Sequence, residues 1–383
     1  MTPPKDLKKM KIGFDAKRIV RNNTGLGNYG RTLVNNLSRV IPDGTSLCLY
    51  APDSGNETLR RQVVEAPNIS FAYPNGSMPR WYWRSHGIVS DLKRDGIQLF
   101  HGLSGELPFG IHKAGIHTVV TIHDLIFLRH PEYYKPIDRF FYGWKFRHTV
   151  READRIIAIS ECTKRDIMHF GKVPSEKIDL IYQSCSTYFK QRESEQKLQE
   201  VNSHYMLPPR YVIGVGTIEE RKNMLLAVKA MLLLPEELSL ILVGRPTPYA
   251  DEIRRFIEEH RLGQRVRMLH NVPNADLPAI YQMAEVAVYP SRYEGFGIPV
   301  IEAIQSGLPV VAGSGSCLEE AGGPDTLYVS PDDVEGMAAA ITQVLKGAEG
   351  RQQRIERAQD YIHRFEGNDV ASQVLDIYLR LEV

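Results

Sequence analysis

Short runs rich in Val, Ile, Leu, Phe and Tyr punctuate the chain: KIGFDA (11–16), SLCLYA (46–51), IQLFH (97–101), HTVVTI (117–122), RIIAI (155–159) and KIDLIY (177–182). Stretches with helical spacing of apolar residues separate them. Near-continuous apolar runs that alternate with helices mark strands buried on both faces of a parallel sheet. A second series follows residue 208, with YVIGVG (211–216), LSLILVG (238–244), RVRML (265–269), VAVYP (286–290), LPVVA (308–312) and TLYVS (326–330). The segment between the two series, KQRESEQKLQEVNSHYMLPP (190–209), is polar and charged and closes on Pro208 and Pro209, which suits a surface helix and linker. The pattern predicts an α/β protein of two doubly wound parallel-sheet domains with a boundary near residue 186. Ligands of such sheets bind at the carboxyl ends of strands, so two sheets facing each other would form a deep cleft.

Helix punctuation agrees with this pattern. Asp332 with Glu335 has capping-box spacing, Asn223 stands where it can cap MLLAVKAMLLL, and Pro299 and Gly307 bracket PVIEAIQS. No repeat of 20 to 50 residues and no low-complexity tract is visible.

Composition narrows the function classes. The chain has 383 residues and a formal charge of +1, with 43% hydrophobic and 24% charged residues, the balance of a globular protein with room for two cores. Near neutrality argues against nucleic acid as partner. No apolar run approaches the roughly 18 residues that span a bilayer, and MTPPKDLKKMKIGF has lysines without an apolar signal core. This pattern predicts a cytoplasmic protein. Cys48, Cys162, Cys185 and Cys317 lie far apart with no CxxC spacing, so they are expected to be reduced and mostly buried.

The stretch SRYEGFGIPVIEAIQSG (291–307) carries the densest chemistry. A strand ends at Tyr289, a glycine-bearing loop follows, and a helix starts near Pro299. Backbone N–H groups of Phe296, Gly297 and Ile298 would then point out of a helix N-terminus, a site for a diphosphate. Gly295 and Gly297 let backbone approach a ligand. Glu302, one turn inside, can accept hydrogen bonds from a ribose, and Glu294 on the loop can hold sugar hydroxyls. Either glutamate alone would merely complement a helix dipole; with their glycines they read as functional. In GVGTIEERKN (214–223) a second strand runs into a loop with Arg221 and Lys222, two cations suited to the charge that develops on a departing diphosphate.

Two weaker signals lie in the first half. TGLGNYG (24–30) holds a literal GxGxxG through Gly25, Gly27 and Gly30, with Asp53 after the next strand where a dinucleotide's ribose acid would stand. A dinucleotide fingerprint follows its strand directly, whereas Lys17 to Thr24 intervene here, so the segment reads as a mobile glycine loop that closes on phosphate or acceptor. TIHDLIFLRHPEYY (121–134) places His123 and Asp124 past a strand end, where His123 can bond a substrate hydroxyl and Asp124 can orient it. GxSxG, HExxH, Asp-x-Asp and a P-loop are absent, and Ser160 lacks the flanking glycines of a nucleophile elbow. Hydrolysis by a triad and an essential protein-bound metal are therefore not expected.

Together, SRYEGFGIPVIEA, GVGTIEERKN, TIHD and TGLGNYG resemble the family 4 retaining glycosyltransferases of GT-B fold, over nearly the whole chain. The resemblance implies two Rossmann-like domains, 1–185 on the acceptor side and 186–360 on the donor side, with 361–383 a helix crossing back. It places Glu302 on the ribose, Glu294 and His123 on the donor sugar, Arg221 and Lys222 on the diphosphate, and Gly27 near the phosphates. The Phe296, Gly297 and Ile298 amides complete the phosphate site, Gly216 ends the strand beneath it, and Asn271 and Val272 face the base. Where relatives commonly carry an arginine two residues beyond the second strand glycine, Thr217 stands near that place, so Arg221 supplies the charge instead. The implied activity is transfer of a hexose, mannose as the first choice, from a nucleoside-diphosphate sugar to a saccharide or lipid-linked saccharide, with peripheral contact at the inner membrane face. A front-face displacement is favoured, since no carboxylate is obviously placed as a nucleophile. The acceptor would meet WYWRSHG (81–87) and RFFYGWKFRHTVR (139–151), which mix aromatic and basic residues. Rival readings are a sugar-nucleotide epimerase or phosphorylase of similar fold, an NAD-dependent oxidoreductase using the GxGxxG, and a non-catalytic sugar-binding protein.

Overall fold

The computed structural model describes residues 10–76, 78–183, 187–365 and 369–381. It divides into two compact units, Met1–Gln183 with Gly367–Val383, and Ser184–Glu366. The expected boundary at residue 186, and Cys185, lie outside the described residues. Both units are all-parallel α/β sheets, as the alternating pattern predicts.

The first sheet has seven strands in the order β3-β2-β1-β4-β5-β6-β7. They are β1 (Lys11–Asp15), β2 (Ser46–Tyr50), β3 (Ile69–Ala72), β4 (Leu99–Gly102), β5 (His117–Ile122), β6 (Arg155–Ala158) and β7 (Ile178–Leu180). Only β3 has no counterpart in the expected series. Its four residues, ISFA, are partly exposed at the sheet edge, and so short a run carries no period. Strand order reverses between β1 and β4. The helix Asp369–Leu379 packs on the helix Gly25–Val40, with Val374 and Tyr378 buried in the same core as Val34 and Leu37. This last helix starts at 369 rather than 361, because residues 361 and 362 end the preceding helix, Arg351–Ile362.

The second sheet runs β10-β9-β8-β11-β12-β13. Its strands are β8 (Tyr211–Val215), β9 (Ser239–Val243), β10 (Val266–Leu269), β11 (Val286–Tyr289), β12 (Val310–Gly313) and β13 (Leu327–Val329). All five residues of β9 are buried, as a central strand covered on both faces requires. Here the order reverses between β8 and β11. In open parallel sheets the loops beyond such a reversal diverge to opposite faces and leave a crevice at the strands' carboxyl ends.

Three local expectations change. TGLGNYG is not a loop: Gly25 opens the helix Gly25–Val40, and the short helix Lys17–Arg21 precedes it. The cap of the helix Val334–Gln343 is Asp333, whose carboxylate accepts from Gly336 N at 2.8 Å, rather than Asp332. Asn223 sits at φ 54 and makes no side-chain cap; its amide donates instead to the carbonyls of Pro290 (3.2 Å) and Pro331 (2.7 Å), tying the loop after β8 to those after β11 and β13. Cys162 and Cys317 are buried and Cys48 is half-buried.

Candidate functional site

The loops after β8 and β11 flank the reversal of strand order in the second sheet, and their charged side chains meet there. Lys222 Nζ donates to Glu294 Oε1 at 2.5 Å, and Arg221 Nη1 lies 3.0 Å from the same oxygen. Lys222 also donates to the hydroxyl of Tyr289, the last residue of β11, while its ammonium sits over that ring. Arg221 is anchored twice more, to Tyr293 O and to Glu219 Oε1, both at 2.6 Å. The cluster thus joins two segments about 72 residues apart in sequence.

Burial would raise the Glu294 carboxyl, but Lys222 and Arg221 outweigh it and hold the group down to about 2. Burial likewise opposes the charge on Lys222, yet Glu294 raises that ammonium above its ordinary value. All three groups are therefore charged at neutral pH. The Tyr289 phenol, buried beside the Glu294 carboxylate, is pushed up to about 12 and stays protonated.

The glycine loop is set from below. Gly297 has φ 115 at the start of the helix Ile298–Gln305, and a Cβ there would come within 2.7 Å of Leu318 Cδ2. A side chain would thus strain both backbone and packing. The buried thiol of Cys317 donates to the carbonyls of Glu294 (3.1 Å) and Phe296 (3.0 Å). The Phe296 side chain points into the core, edge-on to Phe365 at 5.2 Å between centroids. Ile298, Glu302 and Ser306 recur every four residues along one partly exposed stripe of the helix. No cation lies in ion-pair reach of Glu302 among the described residues, and burial alone raises its carboxyl to about 7. A carboxylate so placed favours hydroxyl donors that would stabilise its charged form.

The other donor-side candidates line the same end of the sheet. Gly216 follows β8 at φ 149. Its carbonyl passes so close to Gly244 that a Cβ on Gly244 would lie 1.8 Å away. Asn271 and Val272 follow β10; Asn271 is exposed and left-handed at φ 57. Two strand spacings separate β10 from β8, about 10 Å, a distance that the length of a nucleotide can bridge.

In the first unit the picture differs from the sequence reading. Gly27 is buried in a helix, its N–H is taken by Asn22 Oδ1 at 3.2 Å, and a Cβ would lie 1.9 Å from Asn22 O. Arg31 fastens this turn further, donating to Ile19 O (2.7 Å) and Asn22 O (3.0 Å). Gly27 therefore serves close helix packing, as does Gly30, where a Cβ would lie 2.9 Å from Ile19 Cγ1, whereas Gly25 faces open space. Asp53 pairs with Arg21 and Arg80 rather than standing free for a ribose. His123 is buried: Nε2 contacts Leu103 O at 2.9 Å and Nδ1 contacts Gln183 at 2.8 Å. Both ring nitrogens are thus occupied by groups other than Asp124, whose carboxylate accepts from Ile126 N at 3.2 Å. Burial lowers the His123 imidazole to about 4, so it is neutral. Ser160 caps the helix Glu161–Gly171. Among the described residues no three His, Cys, Asp or Glu side chains are grouped to hold a metal, and no helix is long and apolar enough to cross a membrane.

Tyr289, Cys317 and the Tyr293 carbonyl escaped the sequence reading. The position of Tyr289 at a strand's last residue, two before the glutamate loop, was the available signal. A larger omission lies at the reversal between β1 and β4. There Arg84, on the π-helical turn Trp83–Gly87, is clamped between Asp15 at the end of β1 and Glu106 after β4, and Lys145 lies 3.2 Å from Glu106.

The chain matches the family of glycosyl transferases group 1 over residues 199–361 and glycosyltransferase family 4 over residues 23–187. It is 29% identical to the O-antigen chain mannosyltransferase B of Escherichia coli, over 96% of this chain and 99% of that protein. It is 26% identical to the O-antigen chain mannosyltransferase RfbU of Salmonella typhimurium, over 93% and 96%. Among solved structures, a sucrose-phosphate synthase from Thermosynechococcus elongatus aligns over 97% of this chain and 99% of that one, with a TM-score of 0.77 at 21% identity. With one family match in each unit and full-length relatives of the same kind, the chain belongs to the family 4 glycosyltransferases and is a hexosyltransferase of GT-B fold, similar to bacterial mannosyltransferases.

Proposed function

We propose that this enzyme transfers a hexose, mannose, from a nucleoside-diphosphate sugar to a saccharide or lipid-linked saccharide in cell-surface polysaccharide synthesis, with retention of anomeric configuration. The observation that carries the reading is the convergence of Lys222 and Arg221 on Glu294 at the reversal between β8 and β11. Two cations placed there can turn to a diphosphate, and the charge they neutralise grows as the bond from the anomeric carbon to phosphate oxygen breaks. Glu294, released from them, accepts hydrogen bonds from the sugar's hydroxyls, and Glu302 accepts from the ribose. The electron pair leaves with the nucleoside diphosphate. The acceptor oxygen bonds the anomeric carbon from the same face, and its proton passes to the departing phosphate oxygen. Glu294 is poorly suited to a covalent role, because two cations hold its charge. The O-antigen mannosyltransferases among the relatives support mannose and a polysaccharide product.

His123 then acts by holding the loop after β5, with substrate contact requiring exchange of its Leu103 or Gln183 partner. No metal is needed if the two cations serve the diphosphate, so activity should survive chelation. On this reading the enzyme works at the cytoplasmic face of the inner membrane, a reading that the exposed Phe140, Phe141 and Trp144 support as a surface for peripheral contact.

Thermal shift without added metal tests the donor side. UDP, GDP, ADP, dTDP and NAD are compared on the wild type, Glu302→Ala and Lys222→Ala. A shift by one nucleoside diphosphate that both substitutions abolish is expected. A shift by NAD alone, indifferent to both, would sink the proposal. NMR of the product's anomeric proton then separates retention from inversion, and transfer from epimerisation.

A further inference from the structure

Glu294 needs a new hydrogen-bond donor whenever Lys222 leaves it. Its carboxylate is buried, at 8% exposure, and charged. A buried charge that loses a hydrogen bond without replacement is costly. Hydroxyls of a donor sugar can supply one only when the sugar is present. A bare nucleoside diphosphate would draw Lys222 away just the same, so part of the replacement has to come from the protein itself.

Tyr289 has the geometry for this. It is the last residue of β11, fixed in the sheet opposite Ala312 of β12, and its side chain is buried. Lys222 Nζ donates both to its hydroxyl and to Glu294 Oε1, so the two oxygens are separated by the width of one ammonium. The hydroxyl accepts from Lys222 and still has a proton of its own to give, which burial keeps in place by pushing the phenol up to about 12. No described residue accepts that proton. A buried donor without an acceptor destabilises the ligand-free protein, and the cost is lifted as soon as an acceptor comes within reach.

The two cations are not equally free to turn. Arg221 keeps Tyr293 O and Glu219 Oε1 whatever Glu294 does. Among the described residues Lys222 has only Glu294 and the hydroxyl and ring face of Tyr289 to hold it, so it is the cation that moves more readily. Its departure from between them lets phenol and carboxylate meet.

We propose that Tyr289 is the positioning residue of this exchange: when a diphosphate takes Lys222, the Tyr289 hydroxyl turns from accepting the ammonium to donating to Glu294 Oε1, and so holds the glutamate charged and in place for sugar hydroxyls. The proton stays on the phenol oxygen throughout. The exchange rests on the reading of Lys222 and Arg221 as cations for a diphosphate.

Calorimetric titration of the full-length protein without added metal tests this, with UDP, GDP, ADP and dTDP, each beside its nucleoside, and with inorganic diphosphate. Tyr289→Phe keeps the ring beneath Lys222 and removes only the hydroxyl. It should lower the affinity for the diphosphate that binds by about tenfold and leave that of the nucleoside unchanged, since a nucleoside does not draw on Lys222. In a Glu294→Met background, where no carboxylate waits for the phenol, the same substitution should change diphosphate affinity by less than about twofold. An equal loss in both backgrounds would make Tyr289 a perch for Lys222 alone and overturn the proposal, as would an unchanged affinity in Tyr289→Phe or an equal loss for nucleoside and diphosphate. Should Glu294→Met not fold, a ring-fluorinated tyrosine at position 289, a stronger donor and weaker acceptor than tyrosine, gives the sign: diphosphate binding should become tighter than in the wild type, and weaker binding would overturn the proposal. A wild-type protein that binds none of these diphosphates would sink the donor reading and the exchange with it, whereas wild-type binding that Tyr289→Phe leaves intact would remove the exchange alone.

Discussion

At the reversal between β8 and β11, Lys222 and Arg221 converge on one carboxylate, Glu294; at the matching reversal between β1 and β4, one guanidinium, Arg84, is clamped between two, Asp15 and Glu106. The topology is the same in both sheets and fixes where loops of distant sequence meet. What differs is which charge is shared. Two cations on one anion can re-partner when a diphosphate arrives, because each loses only part of its attraction. A cation held by two anions has nothing to gain from a third, and it serves as a fixed frame. Equivalent places in two similar folds thus divide into a site that can switch partners and a scaffold that keeps them.

The hardest test of that division is to remove the central cation from each. Arg84→Met strands the buried carboxylate of Asp15, while Glu106 keeps Lys145, and should cost about 3–5 kcal/mol of unfolding free energy. Lys222→Met leaves Glu294 still paired with Arg221, so its cost should be clearly smaller. Urea unfolding of both variants checks this, and equal losses would break the comparison. Activity should rank the other way. Lys222→Met removes charge from where it develops and should lower kcat by about 10²–10³-fold, measured under saturating donor.

Next in size is the pH dependence of the two glutamates. Glu294 is depressed to about 2, so the stability it contributes is complete above its unfolded value of 4.5 and is lost as pH falls towards 2. Glu302 carries the opposite sign. Raised to about 7, it adds no cost below pH 4.5 and destabilises the ligand-free protein progressively as pH rises through 7. Glu302→Gln should therefore stabilise the free protein by about 1–3 kcal/mol at pH 8 and leave it unchanged at pH 4.5. Ribose hydroxyls donating to Glu302 favour its charged form, so nucleotide binding should release a proton near pH 7 and tighten as pH rises. Calorimetry in two buffers of different ionisation enthalpy reads that proton directly, and its absence would separate Glu302 from the ribose.

How far the sequence showed these features follows from the range of each signal. Strands such as β9 and β11 are legible because burial on both faces writes a nearly continuous apolar run, while β3, half exposed at an edge, writes none. The Glu294 loop and the Arg221–Lys222 pair are legible as separate motifs, since each carries its glycines or its strand end within a few residues. Their contact across about 72 residues is a product of strand order. Arg84 is opaque for the same reason: it meets Asp15 from 69 positions away on a turn that announces no ligand. The GxGxxG misleads because glycine permits two things. Gly27 gives room to the backbone of Asn22, where the spacing alone suggests room for a phosphate.

A smaller effect sharpens the contrast between units. Tyr378, on the last helix, bonds His101 Nδ1 at 2.6 Å; His101 Nε2 bonds Thr121 Oγ1 at 2.9 Å, and Tyr29 reaches the same Oγ1 at 3.0 Å. Tyr29 lies edge-on to His123 at 4.8 Å, so this buried chain runs from the C-terminal helix to the loop after β5. Burial, and next the like charge of His123, lower His101 to about 3, so the chain stays neutral and its loss is felt equally at pH 7 and 8. Tyr378→Phe leaves one His101 nitrogen buried without its partner, at a cost of about 1–3 kcal/mol. Because every member lies in the first unit, the nucleotide-induced thermal shift should keep its size while the starting stability falls. A nucleotide shift that shrank along with stability would mean that the frame built by the first unit also sets the donor loops, and the division between scaffold and switching site would have to be redrawn.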